Sequence, residues 1–263
     1  MIVQQCYIMM KVCISEEFGY LKEWIYDIAR NNALPQGEVL RDKRNRIVRC
    51  VVGNETFVVK RFGRPNPFNR IVYSFFRRTK AERSYRNTEK LRKMGYESPE
   101  PVAYIELRPF GLFGTGYYIC RWSPNPTIAE MSGVGNVAEQ DEIMSGLAKF
   151  TARMHRDGIY FYDYNIGNII YSRDGNGQWR FELIDVNRIL FRHHALTIKE
   201  STDVLRRFYP EPELQFRFLQ HYAEERGWNW QILTGSTLLK QGINLGSRIK
   251  HLLKPVFFRR QAR

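Results

Sequence analysis

The residues most able to do chemistry are two acids and an amide between positions 158 and 185. Asp163 and Asn168 stand five residues apart in a short polar loop, and Asp185 follows the second of two apolar runs separated by a turn. Phosphoryl transfer needs a carboxylate that orients the attacking hydroxyl and accepts its proton, and the Mg²⁺ that bridges the phosphates takes oxygen ligands. The spacing therefore predicts Asp163 as catalytic base, and Asn168 and Asp185 as ligands of Mg²⁺ and of its nucleotide. The alternative is that both acids are ordinary turn and strand-end residues.

A second acid upstream matches a known catalytic triplet but not its chemistry. His155-Arg156-Asp157 has the order found in protein-kinase loops, yet the residue five positions after Asp157 is Tyr162, which cannot bind a metal. Gly158 follows directly, so the triplet is predicted to end a helix that terminates at a glycine. In the loop that contains Asp163, Phe161 takes the place of the expected histidine.

A lysine in the first half of the chain supplies a charge that a nucleotide site needs. Lys60 ends the apolar run 57–59, a pattern typical of strand lysines that contact the α- and β-phosphates. We therefore predict a catalytic and phosphate-binding role for Lys60, and the alternative is an exposed lysine at a strand end. The predicted helix 79–94 offers Glu82 and Glu89 as partners on one face. We expect Glu82 to pair with Lys60 at the nucleotide.

These motifs together resemble those of the Kdo/WaaP lipopolysaccharide kinase family, within the protein-kinase-like superfamily. The resemblance covers residues 38–225 and is most specific at Asp163-Tyr164-Asn165 and at residues 184–188. Protein kinases acting on Ser or Thr usually have Lys where this chain has Asn165, and Asn is typical there of kinases acting on sugars and other small alcohols. The resemblance implies an ATP- and Mg²⁺-dependent kinase that phosphorylates a sugar hydroxyl, of Kdo or heptose, in the lipopolysaccharide inner core. The family's usual acidic helix position falls near Ser84, so the helix glutamate stays open.

The predicted elements agree with this resemblance. Strands are expected at 38–41, 47–52 and 56–60 after a helix at 15–30, and a strand at 117–120 leads to a hinge. We predict an α+β, protein-kinase-like bilobal fold with a small antiparallel sheet in the N-lobe and a larger, mainly helical C-lobe, in which a long helix at 136–155 holds the catalytic loop. The single kinase-like domain, 1–263, divides into an N-lobe at 1–123 with an extra N-terminal helix and a basic, aromatic insertion at 65–78, a C-lobe at 124–247, and a basic amphipathic tail at 248–263.

The turn 42–46 lies where a glycine-rich phosphate loop is expected, and it contains no glycine. Its cations Lys43, Arg44 and Arg46 allow two interpretations. They contact phosphates as point charges or guanidinium forks, or they are solvated turn residues. The sequence therefore does not predict a phosphate loop.

Two basic and aromatic segments also leave alternatives open. The insertion 65–78 carries an apolar stripe among arginines, which suits either a membrane surface or packing onto the N-lobe. The tail 248–263 mixes aromatic residues with cations and is either a membrane attachment or a disordered basic end. We expect peripheral contact with the anionic inner membrane leaflet, where a lipopolysaccharide core glycolipid acceptor would lie.

The composition limits the partners and the location. The 263 residues carry a formal net charge of +14, so the partner is expected to be anionic. No zinc-finger spacing or RNP signature accompanies the charge, which argues against nucleic acid. Four scattered cysteines without a CxxC pair predict free thiols in the cytoplasm, with attachment to the cytoplasmic face of the inner membrane as an option.

Two other functions stay open on the sequence alone. One is a kinase for another small hydroxyl compound or for a protein. The other is a membrane-associated pseudokinase, which the glycine-free turn and Phe161 favour, and which the set of Lys60, Asp163, Asn168 and Asp185 opposes. The oligomeric state is not predicted.

Overall fold

A computed structural model describes residues 8–131, 135–208, 210–240 and 242. The chain divides into two units: the first contains Met1–Pro124 with Glu182–Arg188, and the second contains Asn125–Phe181 with Ile189–Arg263. The short segment Glu182–Arg188 thus belongs with the amino-terminal residues although it follows most of the second unit in sequence. Since this segment carries Asp185, the first unit contains both Asp185 and Lys60.

The first unit is built on a six-stranded antiparallel sheet with the strand order β1-β5-β6-β4-β3-β2. The four strands expected from the sequence, at 38–41, 47–52, 56–60 and 117–120, are present as β2, β3, β4 and β6. Strand β1 was not predicted: it pairs along its length with β5, and its side chain at Lys11 interrupts the apolar pattern. The strand bounds are β1 Ile8–Ile14, β2 Glu38–Asp42, β3 Arg46–Val52, β4 Glu55–Arg61, β5 Pro101–Pro109 and β6 Thr115–Arg121.

Helices cover both faces of this sheet. The predicted first helix is a 3₁₀ turn, Glu16–Leu21, followed by α1, Lys22–Asn31, and its apolar side chains pack on one face. Helix α3, Lys80–Lys93, packs on the other face, and α2, Pro67–Phe75, forms within the predicted insertion. Because neighbouring strand residues point to opposite faces, Lys60 shares a face with α3 and the adjacent Arg61 does not.

The second unit is mainly helical. Its long helix α4 is capped by Asn136, whose side chain accepts from the Glu139 amide, and it ends before Gly158 at a φ of 74°. Strands β7 and β10 pair with each other, and β8 and β9 form a hairpin. Residues 230–240 are also helical. The bounds are α4 Val137–Arg156, β7 Ile159–Phe161, β8 Ile169–Arg173, β9 Trp179–Leu183, β10 Ile189–Phe191, α5 Ile198–Leu205 and α6 Pro212–Arg226.

The predicted α+β class is confirmed: an antiparallel sheet dominates the first unit, and helices dominate the second. None of the helices in the described ranges is both long enough and apolar enough to cross a membrane. The predicted basic tail 248–263 lies outside the described residues.

Candidate functional site

Lys60 and Asp185 meet in the first unit. The Nζ atom of Lys60 lies 2.6 Å from Oδ1 of Asp185, and Lys60 is only 7% exposed. Asn187 donates from Nδ2 to the same Oδ1 at 2.6 Å. Asp185 has a φ of 55°, a left-handed conformation that non-glycine residues rarely adopt and that concentrates at functional sites. Two of the residues predicted from sequence are therefore in direct contact.

Hydrogen bonds on both sides of Asp185 hold it in this conformation. The Ser98 hydroxyl donates to the Leu183 carbonyl at 2.6 Å. Asn87 of α3 donates from Nδ2 to the Val186 carbonyl at 2.8 Å. The short segment that carries Asp185 is thus fixed to the sheet-and-helix unit at both of its ends.

The electrostatics around Asp185 are dominated by cations. Burial opposes the ionisation of Asp185, but the charge and hydrogen bond of Lys60, with smaller effects of Asn187 and Arg41, together outweigh it and hold the pKa of Asp185 below its ordinary value. Lys80, at the start of α3, lies in the same neighbourhood, and its pKa is lowered by burial and by the charges of Arg44, Arg83 and Lys60. Several cations around one carboxylate form a suitable environment for a polyphosphate.

Sequence reasoning missed the contributions of Lys80 and Asn187 to this neighbourhood. Lys80 directly follows Thr79, whose side chain caps α3 by accepting from the Glu82 amide. That capping residue was a signal that the next side chain would stand at a helix start. Asn187 follows Asp185 by two residues, and its hydrogen bond to Asp185 shows that it orients this carboxylate.

The expected ion pair between Lys60 and Glu82 is not formed. Within the described residues, Glu82 pairs with Lys11 at 3.2 Å, with Arg86 at 2.7 Å and with Arg78 at 3.5 Å. The reason is the unpredicted strand β1, which brings Lys11 to the face of α3 that carries Glu82. The partner of Lys60 is Asp185, and this corrects the assignment made from sequence.

In the second unit, the predicted loop is organised around the main-chain carbonyl of Asp163. Asn165 donates to this carbonyl from Nδ2 at 2.8 Å, and Asn168 does so from its own Nδ2 at 2.9 Å. The Asn165 side-chain oxygen in turn accepts from the Gly167 amide at 3.0 Å. Because the amide nitrogen of Asn168 is engaged in this way, its Oδ1 is the atom that it can offer to a cation.

Buried aromatic side chains pack within and next to the same loop. Tyr164 is fully buried, stacks on Phe208 with ring centroids 5.9 Å apart, and shares a 2.5 Å hydrogen bond with the Thr151 hydroxyl. Phe161 is also fully buried and pairs with Ile189 between β7 and β10. The aromatic residue that replaces the expected histidine therefore fixes the start of the loop through packing.

The upstream triplet is structural, as predicted. His155 is completely buried in α4, and its Nδ1 lies 2.7 Å from the Tyr222 hydroxyl. Burial, with a smaller effect of Arg226, lowers the pKa of His155 to about 3. His155 is therefore a neutral core residue at physiological pH.

Comparison with known proteins identifies the fold of this chain. No protein-family model matches the sequence, and no curated protein matches it. The solved structure of WaaP in complex with acyl carrier protein aligns over 94% of this chain and 99% of WaaP, with a TM-score of 0.56 and 16% identity. This chain has a protein-kinase-like fold. The predicted fold class is confirmed, and the predicted resemblance to the Kdo/WaaP family is confirmed at the level of the fold.

Two further kinase structures align with this chain at lower TM-scores. The Rio2 kinase of Chaetomium thermophilum, in an ADP/Mg²⁺-phosphoaspartate complex, matches 88% of this chain and 78% of its own with 14% identity and a TM-score of 0.47. The bifunctional kinase-methyltransferase WbdD matches 75% of this chain and 42% of its own, with 17% identity and a TM-score of 0.42.

The glycine-free turn of this kinase-like fold lines a basic cavity. The cavity has a volume of about 420 Å³ and its cations are Lys43, Arg44, Arg46, Arg61 and Arg64. The turn lies directly on the end of β4: a Cβ atom at Gly63 would stand only 2.2 Å from the Arg44 carbonyl oxygen. The Gly63 amide also donates to the Asn45 side chain at 3.1 Å.

Each unit contains an oxygen donor of the kind that Mg²⁺ takes when it is held together with a nucleotide. Among the described residues, no three or more His, Cys, Asp or Glu side chains cluster as a site for a metal ion. Mg²⁺ usually takes one or two protein oxygen ligands and completes its shell with phosphates and water. In the first unit, Oδ2 of Asp185 suits this role, since Oδ1 makes the contacts with Lys60 and Asn187. In the second unit, Oδ1 of Asn168 suits the same role, since Nδ2 donates to the Asp163 carbonyl.

Proposed function

We propose that this protein is an ATP- and Mg²⁺-dependent kinase that phosphorylates a sugar hydroxyl. The single observation that carries the proposal is the contact between Lys60 and Asp185 amid additional cations, within a protein-kinase-like fold. A buried lysine and a strained, ionised acid in contact are the groups that a triphosphate and its Mg²⁺ require.

Each residue has a distinct role in the proposed reaction. Lys60 binds the α- and β-phosphates, with Lys80 as an additional cation nearby. Asp185 and Asn168 provide oxygen ligands, and Mg²⁺, when bound, neutralises charge on the transferred phosphoryl group. Asp163 orients the acceptor hydroxyl and takes its proton, because its carboxylate is on a loop whose backbone is already held by two asparagine side chains.

The proposed acceptor is Kdo or heptose in the lipopolysaccharide inner core. Support comes from the sequence resemblance to the Kdo/WaaP family and from Asn165, which replaces the lysine typical of protein kinases. The net charge of +14 suits an acceptor that already carries anionic groups. We place the reaction at the cytoplasmic face of the inner membrane, where ATP and a lipid-linked acceptor are both present.

The test is phosphate transfer from labelled ATP to a panel of acceptors: purified core glycolipid, free sugars and a protein substrate. We expect transfer to the glycolipid, and we expect Asp163→Asn to reduce turnover by about 10²- to 10⁴-fold, the usual contribution of a general base. Asp157→Asn is the matched control, because Asp157 lies at the end of α4 and not in the loop. Transfer only to another acceptor would replace the substrate assignment, and equal activity of Asp163→Asn and wild type would overturn the catalytic assignment.

A second candidate function, a pseudokinase without turnover, is favoured by one observation. Within the described residues, Lys60 makes no ion pair with Glu82, which pairs with Lys11, Arg78 and Arg86. Thermal shift with ATP, measured with and without Mg²⁺, tests nucleotide binding directly. A Mg²⁺-dependent rise in the melting temperature together with phosphate transfer favours the kinase, and nucleotide binding without transfer to any acceptor favours the pseudokinase.

A further inference from the structure

Helix α2, Pro67–Phe75, exposes its apolar side chains and packs through its polar ones. None of its residues is buried, although Asn66 caps it by accepting from the Asn69 amide at 2.7 Å. Its large apolar residues are strongly exposed: Phe68 at 74%, Ile71 at 50%, Phe75 at 68% and the adjoining Phe76 at 82%. This is the reverse of the usual arrangement for a helix on a globular protein.

Polar contacts fix the orientation of α2. Arg70 donates from Nε to the Phe113 carbonyl at 3.1 Å and from Nη2 to the Pro109 carbonyl at 3.4 Å. Ser74 accepts from the Phe113 amide at 2.8 Å. Tyr73 packs edge-on against the Phe113 ring at 5.7 Å. The β5–β6 hairpin therefore holds one side of α2 in place. The same contacts determine which side of the helix faces outward.

Helical spacing explains why the outer side is continuous. Phe68, Ile71 and Phe75 stand at i, i+3 and i+7, which places them on one side of a helix. Arg70 and Ser74 stand four apart on a different side of the helix, which contacts the hairpin. The exposed aromatics are thus not the result of a disordered loop but of a helix anchored with its apolar side outward.

The tip of the same hairpin adds another exposed aromatic. Phe110 is 78% exposed and has a φ of 55°, a conformation in which glycine or asparagine would be less strained. It directly follows Pro109, whose carbonyl accepts from Arg70 of α2. We call Phe68, Ile71, Phe75, Phe76 and Phe110 the aromatic face.

Cations surround the aromatic face. Arg64 precedes α2, and Arg77 and Arg78 follow it, all three exposed. Arg44 lines a small cavity together with Tyr73 of α2 and is also part of the larger basic cavity. Aromatic side chains surrounded by arginines match the boundary between lipid headgroups and acyl chains in an anionic leaflet. Two copies of the same face would bring like charges together, which argues against self-association.

We propose that the aromatic face is a docking surface for an anionic lipid leaflet. The aromatic rings enter the headgroup and upper acyl region, and the surrounding arginines contact lipid phosphates. This proposal deepens the proposed function, because it names the surface that brings the enzyme to the leaflet of a lipid-linked acceptor. Of the two interpretations that the sequence left for residues 65–78, it selects the membrane surface.

The test is co-sedimentation of the full chain with vesicles of phosphatidylglycerol and, separately, of phosphatidylcholine. We expect binding to the anionic vesicles and weak or no binding to the neutral ones. Replacing two aromatic residues, Phe75→Ser with Phe76→Ser, should weaken binding to the anionic vesicles by about tenfold or more, because two large apolar side chains lose their lipid contact. Val51→Ser is the matched control, since Val51 is also an apolar residue of the first unit and 68% exposed.

Three measurements keep the outcome interpretable. The melting temperature without ligand should be about the same in the double variant and in wild type, which shows that the fold is retained. Undiminished vesicle binding by the double variant would overturn the proposal. So would a concentration-dependent dimer in light scattering that the double variant loses, since the face would then bind a second copy.

The proposed function can fail independently of this docking surface. Vesicle binding without phosphate transfer to any acceptor would reject the kinase activity and leave the docking surface supported. Transfer to a lipid-free core oligosaccharide, at equal rates in wild type and in the double variant, would support the kinase activity, while vesicle binding alone decides the docking surface.

Discussion

The two acids of the proposed mechanism are held in different ways. Asp185 is held by charge: a lysine ammonium at 2.6 Å and an asparagine amide at 2.6 Å both contact its Oδ1, and its backbone is strained. Asp163 belongs to a loop held by packing, with Tyr164 and Phe161 fully buried next to it and two asparagine side chains on its carbonyl.

This difference separates adaptable from rigid parts of the molecule. A contact between opposite charges can be exchanged when a triphosphate and Mg²⁺ supply competing charges of their own. A close-packed aromatic cluster cannot be exchanged without a large loss of stability. We therefore expect ligand binding to reorganise the surroundings of Asp185 and to leave the backbone of the Asp163 loop unchanged.

The largest expected effect comes from breaking the packing beside Asp163. Tyr164→Ala removes a ring that is completely buried against Phe208 and Thr151, and we expect a loss of about 3–5 kcal/mol in the free energy of unfolding. Urea denaturation measures this. Tyr162→Ala, at a half-buried position in the same loop, is the control and should cost clearly less. Equal losses in both variants would show that the loop is not held by packing at Tyr164.

Breaking the charge-held region should affect catalysis more than stability. Lys60→Met removes the cation from the proposed phosphate site, and we expect kcat to fall by about 10²- to 10³-fold, as when one preorganised charge is lost. The melting temperature should also fall, because Asp185 loses the buried ammonium that offsets its own burial, but less than in Tyr164→Ala, because Asp185 keeps its bond to Asn187.

Arg61→Met provides the matched control for Lys60, since Arg61 is the next residue of β4 and points to the opposite face of the sheet. Its kcat should fall by much less than that of Lys60→Met, because Arg61 lines the basic cavity and does not contact Asp185. A comparable fall in both variants would mean that general loss of positive charge, and not the contact with Asp185, explains the result.

The packed region should also show a pH dependence through His155. Its pKa is about 3 in the folded protein, mainly because of burial. At a pH below the ordinary histidine pKa, the unfolded chain therefore binds a proton at His155 and the folded chain does not. Stability must therefore fall as the pH drops through the ordinary histidine value, by roughly 2 kcal/mol at about pH 5. The free energy of unfolding is measured near neutral pH and at about pH 5. Its decrease between the two pH values should be smaller in His155→Gln than in wild type. The same pH dependence in both proteins would contradict this assignment, and exposed His194→Gln is the control.

The smallest effect is expected at Glu82. Glu82→Gln removes a charge that pairs with Lys11 and Arg86, both about half exposed, so the loss in stability should be about 1 kcal/mol. The KM for ATP should be unchanged, because Lys60 is paired with Asp185. A tenfold or greater rise of this KM would restore Glu82 as a nucleotide-site residue.

The sequence was informative where the signal is local. Lys60 follows an apolar run, and Asp163, Asn168 and Asp185 follow from short spacings that the chain alone displays. Strand β1 depends on pairing with β5, about a hundred residues away, and its pattern is interrupted by Lys11. Since Lys11 is what pairs with Glu82, missing the strand also led to the wrong partner for Lys60.

Helix α2 shows a second limit of sequence patterns. Its apolar stripe has the spacing of a helix that packs on a core, and the same spacing describes a helix with that stripe exposed. The contacts of Arg70 and Ser74 with the β5–β6 hairpin decide the direction, and these contacts depend on residues about forty positions further along the chain. Periodicity defines the two sides of a helix but not which side faces the protein.

Gly63 has a consequence for how a nucleotide would be enclosed. The turn before β3 carries no glycine of its own, and it lies against Gly63, just past the end of β4, where any side chain would collide with the Arg44 carbonyl. In this chain the glycine therefore belongs to the surface beneath the turn and not to the turn itself. For the nucleotide of the proposed function, this turn would offer a fixed backbone from which its arginine and lysine side chains extend.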